Sequence, residues 1–185
     1  GGSTGFASAS EIRRKIDGGV SPKEDLPKET SETLEKLLLQ GKAPAKIENL
    51  ERMLIGFFRN AEAEELKEYY AVTEGAENRI IAAAKTATSI EDFYEKVKTK
   101  RYTMATVRRM IIAPFLGIKK AEPTIPFLRV LAFNARGAEI MKNIKKSSDL
   151  PLITNFTPEL AAVPEFAEQI ALERRATDIF SLATP

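Results

Sequence analysis

Pro126-Phe127-Leu128-Arg129-Val130-Leu131-Ala132-Phe133 is short, apolar and opened by proline. The sequence before Pro123 repeats its apolar residues at helical spacing, and this stretch does not. It therefore reads as a buried strand. Asn134 behind it is a good helix cap, predicting a helix from Ala135 to Lys146 with Ile140 and Ile144 turned inward. Pro151-Leu152-Ile153-Thr154 is a second short strand. Strand, helix and strand within about 30 residues predict a right-handed βαβ unit with two parallel strands.

Upstream, helical patterns dominate. Ser8-Ala9-Ser10-Glu11-Ile12-Arg13 opens a short helix that Gly18-Gly19 stops. Residues 20–29 carry Pro22 and Pro27 and read as a turn or linker. Thr30-Ser31-Glu32-Thr33 looks like a cap before Leu34, Leu37 and Leu38. Ile47, Leu50, Leu54, Phe57 and Phe58 form one apolar stripe, a core face. Glu62 to Tyr70 reads as a short acidic helix ending in two tyrosines. Glu74-Gly75-Ala76-Glu77-Asn78-Arg79 opens a helix reaching about Ala87. Ser89 caps Ile90 to Lys98, with Glu91 and Asp92 suiting the helix dipole. Thr103 starts a helix in which Pro114 predicts a kink or an early end. The last helix runs from about Pro164 to Leu182, apolar at Phe166, Ile170, Ala176, Ile179 and Phe180. The fold class is mainly α, a helical domain with a small parallel βαβ element near the C-terminal third.

Composition narrows the chemistry. The 185 residues contain no Cys, no His and no Trp, with 28 basic and 26 acidic side chains. Without Cys there is no disulfide framework, thiol nucleophile or zinc-thiolate site. Without His, Ser-His-Asp and Cys-His catalysis are excluded. No carboxylates stand at a catalytic spacing, so the sequence offers neither a catalytic nor a metal-ligating residue. No run approaches the roughly 18 to 20 apolar residues of a membrane helix, and no signal peptide is visible, which predicts a cytoplasmic protein. Gly1-Gly2-Ser3-Thr4-Gly5 reads as a flexible loop or a cloning remnant. It lacks the preceding strand and the lysine of a phosphate loop.

The net charge of +2 hides an uneven distribution. Lys96 to Arg109 holds Lys96, Lys98, Lys100, Arg101, Arg108 and Arg109 and no acid. With Tyr102 at a junction between two helices, it suits a phosphate backbone and a stacked base. The same residues also suit a solvated helix end whose lysines complement the dipole. Lys142, Lys145 and Lys146 read as a solvent face. Asn78 and Arg79 suit a nucleotide or RNA, or an Arg-Glu network joining two helices, the reading we favour.

Several ordered motifs resemble one family. Ser8-Ala9-Ser10-Glu11-Ile12-Arg13 is similar to the S-x-[ST]-x-I-R element that closes the nucleotide-binding domain of HIGH-type nucleotidyltransferases. Glu74-Gly75-x-Glu77-Asn78-Arg79-Ile80 follows, then Lys98-Thr99-Lys100-Arg101-Tyr102-Thr103 and Arg109-Met110. Leu131-x-Phe133-Asn134-x-x-Gly137 and Ala176-Thr177-Asp178-Ile179-Phe180-Ser181-Leu182 complete the series. Together they resemble the C-terminal half of the bacterial tRNA(Met) cytidine acetate ligase family.

That resemblance implies an enzyme that activates acetate with ATP, with magnesium, and acetylates the wobble cytidine of elongator tRNA(Met). It implies that Arg13, with Ser8 and Ser10, lies at the edge of the ATP site. It implies tRNA contacts from Lys98, Lys100, Arg101, Tyr102, Arg109 and Arg79. Family members carry a His-containing ATP motif in an N-terminal domain, and this chain has no His, so that domain is expected to be missing. Residues 1–19 would then close the absent nucleotide-binding domain, 20–29 link, and 30–185 form the C-terminal domain, inactive alone. After Tyr102-Thr103 the family is richer in Arg, whereas this chain keeps Arg109 and adds Arg108. Two other readings stand beside this one. One is a helical structural or protein-interaction module. The other is a nucleotidyltransferase-like protein with a different small-molecule substrate.

Overall fold

The structure, a computed structural model, describes residues 7–121 and 125–184. The expectations placed on Gly1 to Gly5 and on Pro123 lie outside those residues. The chain forms two compact units, one up to Glu51 together with the stretch from Phe180 onward, the other Arg52–Ile179.

The first unit contains α1 (Ala9–Asp17) and α2 (Lys28–Leu39). Ser8 caps α1, its hydroxyl oxygen accepting the Glu11 N–H at 3.2 Å. Gly19 takes a positive φ after the helix, at 70°. A 3-10 turn at Lys23–Asp25 carries Asp25 to the Lys15 ammonium. Helix α2 starts at Lys28, ahead of the expected Thr30-Ser31 cap. Pro27 sits at the cap position, where its fixed φ suits a helix start and no side-chain acceptor is used. The tail is tied down by one carbonyl. Ala183 O accepts from the Lys46 N–H and from Asn49 Nδ2, each at 2.8 Å.

The second unit is built on a helical core. It begins in α3 (Glu51–Arg59), which buries Leu54 and Phe58; the first part of the stripe expected from Ile47 to Phe58 is a 3-10 turn (Ile47–Leu50) in the first unit, where Leu50 is buried. The acidic helix is shorter than its sequence suggests, α4 spanning Ala63–Leu66. Next come α5 (Ala76–Thr86), α6 (Ile90–Val97) and α7 (Met104–Phe115). Small residues Ala76, Ala83 and Ala84 let α5 pack closely, while Ile80, Ile90, Phe93, Val97, Val107, Met110 and Ile111 fill the interior. Phe58 meets Phe93 edge-on with centroids 5.5 Å apart, a geometry that stabilises beyond area burial. Ser89 caps α6 by accepting the Asp92 N–H at 3.1 Å. Helix α7 ends one residue after Pro114, as the sequence predicts. Gly117, at φ 73°, donates to Pro114 O and Ile118 donates to Ala113 O, each at 2.8 Å. Those bonds take up the orphan carbonyls of the helix end.

The parallel βαβ element is present but small. β1 (Leu128–Arg129) pairs with β2 (Leu152–Ile153) in parallel, Leu128 opposite Leu152, and α8 (Ala135–Ser147) connects them. Two corrections follow. The eight-residue apolar stretch is not a buried strand throughout, because pairing stops at the Val130 N–H to Ile153 O bond. Phe127 is buried, but Leu131 is 84% exposed and Phe133 56%. Nor is Ile140 inward, at 52% exposure, while Ile144 is half-buried. The half-buried side of α8 is Gly137, Ala138, Met141 and Ile144. Beyond β2, α9 (Pro158–Ala161), which the sequence did not announce, and α10 (Pro164–Ser181) close a second small core. It is made of Phe127, Ile153 and Ile170, with Phe156 and Phe166 packed against it. Arg129 stacks over Phe156 at 4.4 Å and pairs with Glu173. Phe180, expected on the apolar face of the last helix, is 60% exposed.

Candidate nucleic-acid interface and nucleotide-edge residues

The basic segment forms the turn between α6 and α7. Lys98 ends α6, and the Tyr102 N–H reaches back to Thr99 O at 3.3 Å. The Arg101 N–H is held by Thr99 Oγ1 at 3.1 Å. Thr103 then caps α7, its Oγ1 accepting the Thr106 N–H at 3.3 Å. No acidic residue stands in the first turn of α7, so the positive end of its dipole is not offset by a carboxylate of that turn. The Tyr102 hydroxyl hydrogen-bonds Thr73 Oγ1 at 2.8 Å, and the Arg101 guanidinium lies over the Tyr102 ring at 5.6 Å.

The six cations divide into two groups. Lys96 is committed to Asp92 at 2.6 Å and to Thr86 O at 2.8 Å, and Lys98 stands 3.8 Å from Glu95. The ammonium of Lys96, then the Thr88 N–H, hold the Asp92 carboxyl below the usual carboxylate range. Lys100, Arg101, Arg108 and Arg109 are exposed and have no carboxylate partner among the described residues. Arg109 contacts the Thr106 hydroxyl at 3.5 Å, and Arg108 lies over the Tyr94 ring at 5.8 Å.

Arg79 plays a different part in this geometry. Its Nε donates to Val97 O at 2.8 Å and its Nη2 to Lys98 O at 2.9 Å. Two helices are joined, as the Arg-Glu reading expects, but the acceptors are the carbonyls that end α6 rather than a glutamate. The guanidinium fork thus sets the backbone from which Lys98 to Tyr102 project. Arg59 makes the same fork on Ala84 O and Ala87 O at the end of α5, at 2.8 and 3.0 Å. Nothing local in the sequence marks Arg59 for this, since its partners lie 25 and 28 residues away. Glu77, 3% exposed, is another feature the sequence does not reveal. Its Oε1 accepts from Asn78 Nδ2 at 3.3 Å, and its Oε2 has no partner among the described residues.

The residues expected at a nucleotide's edge, Ser8, Ser10 and Arg13, lie together at the start of α1. Ser8, Ser10 and Arg13 are exposed, and no carboxylate pairs with Arg13 among the described residues. The neighbouring Arg14 stands 3.8 Å from Glu11. Ser8 uses its oxygen for the cap and keeps its O–H to donate. Such a cation and hydroxyls at a helix start fit phosphate oxygens. A cavity of about 450 Å³ in the same unit is lined by Ile16, Val20, Leu34, Leu38 and other residues, and Arg13 is not among them. Among the described residues no group of three or more His, Cys, Asp or Glu is placed to hold a metal ion. Among the same residues no helix is long and apolar enough to cross a membrane.

The whole chain has known relatives. It is 35% identical over 187 residues to the tRNA(Met) cytidine acetate ligase of Thermoanaerobacter sp. (strain X514), covering 96% of this chain and 45% of that protein. With the ligase of Thermosipho africanus it shares 33% identity over 156 residues, covering 81% of this chain and 37% of that protein. The crystal structure of apo Thermotoga maritima TmcAL superposes with a TM-score of 0.87 at 28% identity, over 97% of this chain and 47% of that one. A second crystal structure of that protein, bound with alpha-thio ATP, gives 0.85. The chain thus spans less than half the length of the relatives it matches. A profile of the HIGH nucleotidyl transferase family matches residues 2–185, and the chain belongs to that family.

Proposed function

We propose that this chain is the C-terminal, tRNA-binding half of an ATP-dependent ligase that acetylates the wobble cytidine of elongator tRNA(Met). The observation that carries the reading is the turn between α6 and α7, where Lys100, Arg101 and Arg109 are left without carboxylate partners beside Tyr102. Unpaired cations engage phosphates without first giving up an ion pair, and the dipole of α7 adds to them. Lys98 and Tyr102 line the same turn, and Arg79 sets its backbone. The names of the relatives, tRNA(Met) cytidine acetate ligases, point to the same substrate.

In this reading the chemistry belongs to a nucleotide-binding domain of the same protein preceding α1. Residues 1–19 close that domain, 20–29 link, and 30–185 present the tRNA. Arg13 clamps ATP phosphate oxygens from the edge, helped by the Ser8 and Ser10 hydroxyls, and offsets charge as pyrophosphate leaves. Magnesium would enter with the nucleotide and would offset the charge of its phosphates. The chain alone has no ligase activity, and the tRNA substrate places it in the cytoplasm.

The test is tRNA binding by the 185-residue chain and by Lys100→Ala/Arg101→Ala, followed by anisotropy over a salt series. The double variant is expected to bind about tenfold more weakly at low salt, with a shallower slope of log affinity against log salt. Parental affinity and slope in the variant would remove the basis for the reading.

A further inference from the structure

Helix α8 is 13 residues long and buries none of its side chains. Met141 and Ile144 are half-buried, whereas Arg136, Lys142, Lys145 and Lys146 are exposed. Those four cations face a single acid on the helix, Glu139, and none has a carboxylate partner among the described residues. At the head of the helix stands Phe133, 56% exposed. The Asn134 side chain accepts the Gly137 N–H at 2.9 Å, and a Cβ at residue 137 would lie 3.0 Å from Phe133 Cβ. A side chain at 137 would press on Phe133 and shift it by a few tenths of an ångström.

We infer that the exposed cations of α8, with Phe133 just before the helix, form a second surface for single-stranded RNA, with Arg136 and the three lysines on phosphates and the Phe133 ring on a base. The inference rests on the RNA reading given above, but on residues that the α6–α7 turn does not use. From Phe133 to Lys146 the helix runs about 20 Å, the length of about six stacked nucleotides. Phe133 is exposed at the head of this basic helix, and an exposed ring can serve as a stacking platform, since every base has a π-face. A lipid surface fits less well. The exposed apolar residues Leu131, Phe133 and Ile140 gather at one end, and Met141 and Ile144 face the protein, so no long apolar stripe is left to insert. A protein partner fits less well because three of the four cations are lysines, which protein interfaces disfavour.

The experiment uses the 185-residue chain and a fluorescent single-stranded RNA of about 12 nucleotides, within the usual site size of such surfaces. Lys142→Ala/Lys145→Ala/Lys146→Ala is expected to bind about tenfold more weakly at low salt, its salt slope shallower by about two. Phe133→Leu is expected to lose about fivefold in affinity with the slope unchanged, and Phe133→Tyr to keep the parental affinity. All of these residues are exposed, so each variant should melt with the parent. Parental affinity and slope in the triple-lysine variant overturn the inference, as does a change in oligomeric state without a change in RNA affinity. If Lys100→Ala/Arg101→Ala weakens tRNA binding while the α8 variants do not, the inference falls and the proposed function stands. If the parent binds neither RNA, both fall.

Discussion

Helices α3 to α7 and helix α8 carry the same sequence signal and meet different fates. In the first group apolar residues at helical spacing become core. Leu54, Phe58, Ile80, Ile90, Phe93, Val107 and Met110 are all buried. In α8 the same spacing leaves Ile140 half in water, and Phe133 before it is more exposed still. The difference lies in what stands opposite. Helices α4 to α7 each pack against another helix. The sheet connected by α8 has two strands of two residues each, too small a surface to cover an apolar stripe. An apolar period therefore reports core only where a second layer is available.

The sharpest way to break this contrast is to delete one ring from each region. Phe58→Ala removes a fully buried side chain that touches Phe57 and Phe93, and should cost about 3–5 kcal/mol. Phe133→Ala should cost less than about 1 kcal/mol. Urea denaturation of both variants reads the difference. Equal losses would mean that α8 is packed as tightly as the helical core.

Helix ends sharpen the comparison further. Arg59 and Arg79 each place a guanidinium fork on the last carbonyls of a helix, α5 and α6. A cation there satisfies orphan acceptors and complements the dipole. Replacing either by Ala should cost about 1–2 kcal/mol, and Lys should recover part of it, because a single ammonium cannot bridge two carbonyls as a fork does. The two should part in function. Arg59→Ala is expected to leave RNA affinity unchanged, whereas Arg79→Ala loosens the backbone of Lys98 to Tyr102 and weakens binding. Equal RNA affinity in both variants would assign Arg79 to stability alone.

Much of this was legible in the sequence, and the reason is local. Ser8, Ser89, Thr103 and Asn134 are caps whose acceptor and donor lie three residues apart, so a short window contains the whole interaction. The parallel pairing of β1 and β2 was legible from the helix between them. The extent of β1 was not, because apolar residues from Val130 to Phe133 look the same whether or not a partner strand continues beside them. The fork of Arg59, the buried and half-satisfied Glu77, and the commitment of Arg79 to backbone carbonyls all depend on contacts across the fold. At the candidate interface the charge pattern alone counted six cations alike, and the resemblance picked out Lys98, Lys100, Arg101 and Arg109. Only the positions of Asp92 and Glu95 separate Lys96 and Lys98 from the four that have no carboxylate beside them.

The smallest expected effect lies at that boundary between paired and unpaired cations. Asp92 is held below its ordinary range, first by the Lys96 ammonium and then by the Thr88 N–H. A depressed folded value means that the carboxylate stabilises the fold above the unfolded value of about 4, and that this contribution fades as pH falls through the lower folded one. The parent should therefore lose part of its stability on acidification below about pH 4. Asp92→Asn should show a flatter limb in that window and nearly parental behaviour in the slope at neutral pH. It also releases Lys96 from the one carboxylate it pairs with among the described residues and adds a fifth unpaired cation to the α6–α7 surface, so RNA affinity should rise slightly and with a steeper salt slope. Denaturant melts from pH 3 to 7 and anisotropy on the same protein read both effects. An unchanged acid limb would show that the Lys96 contact is too exposed to matter, and an unchanged salt slope would place Lys96 outside the RNA surface.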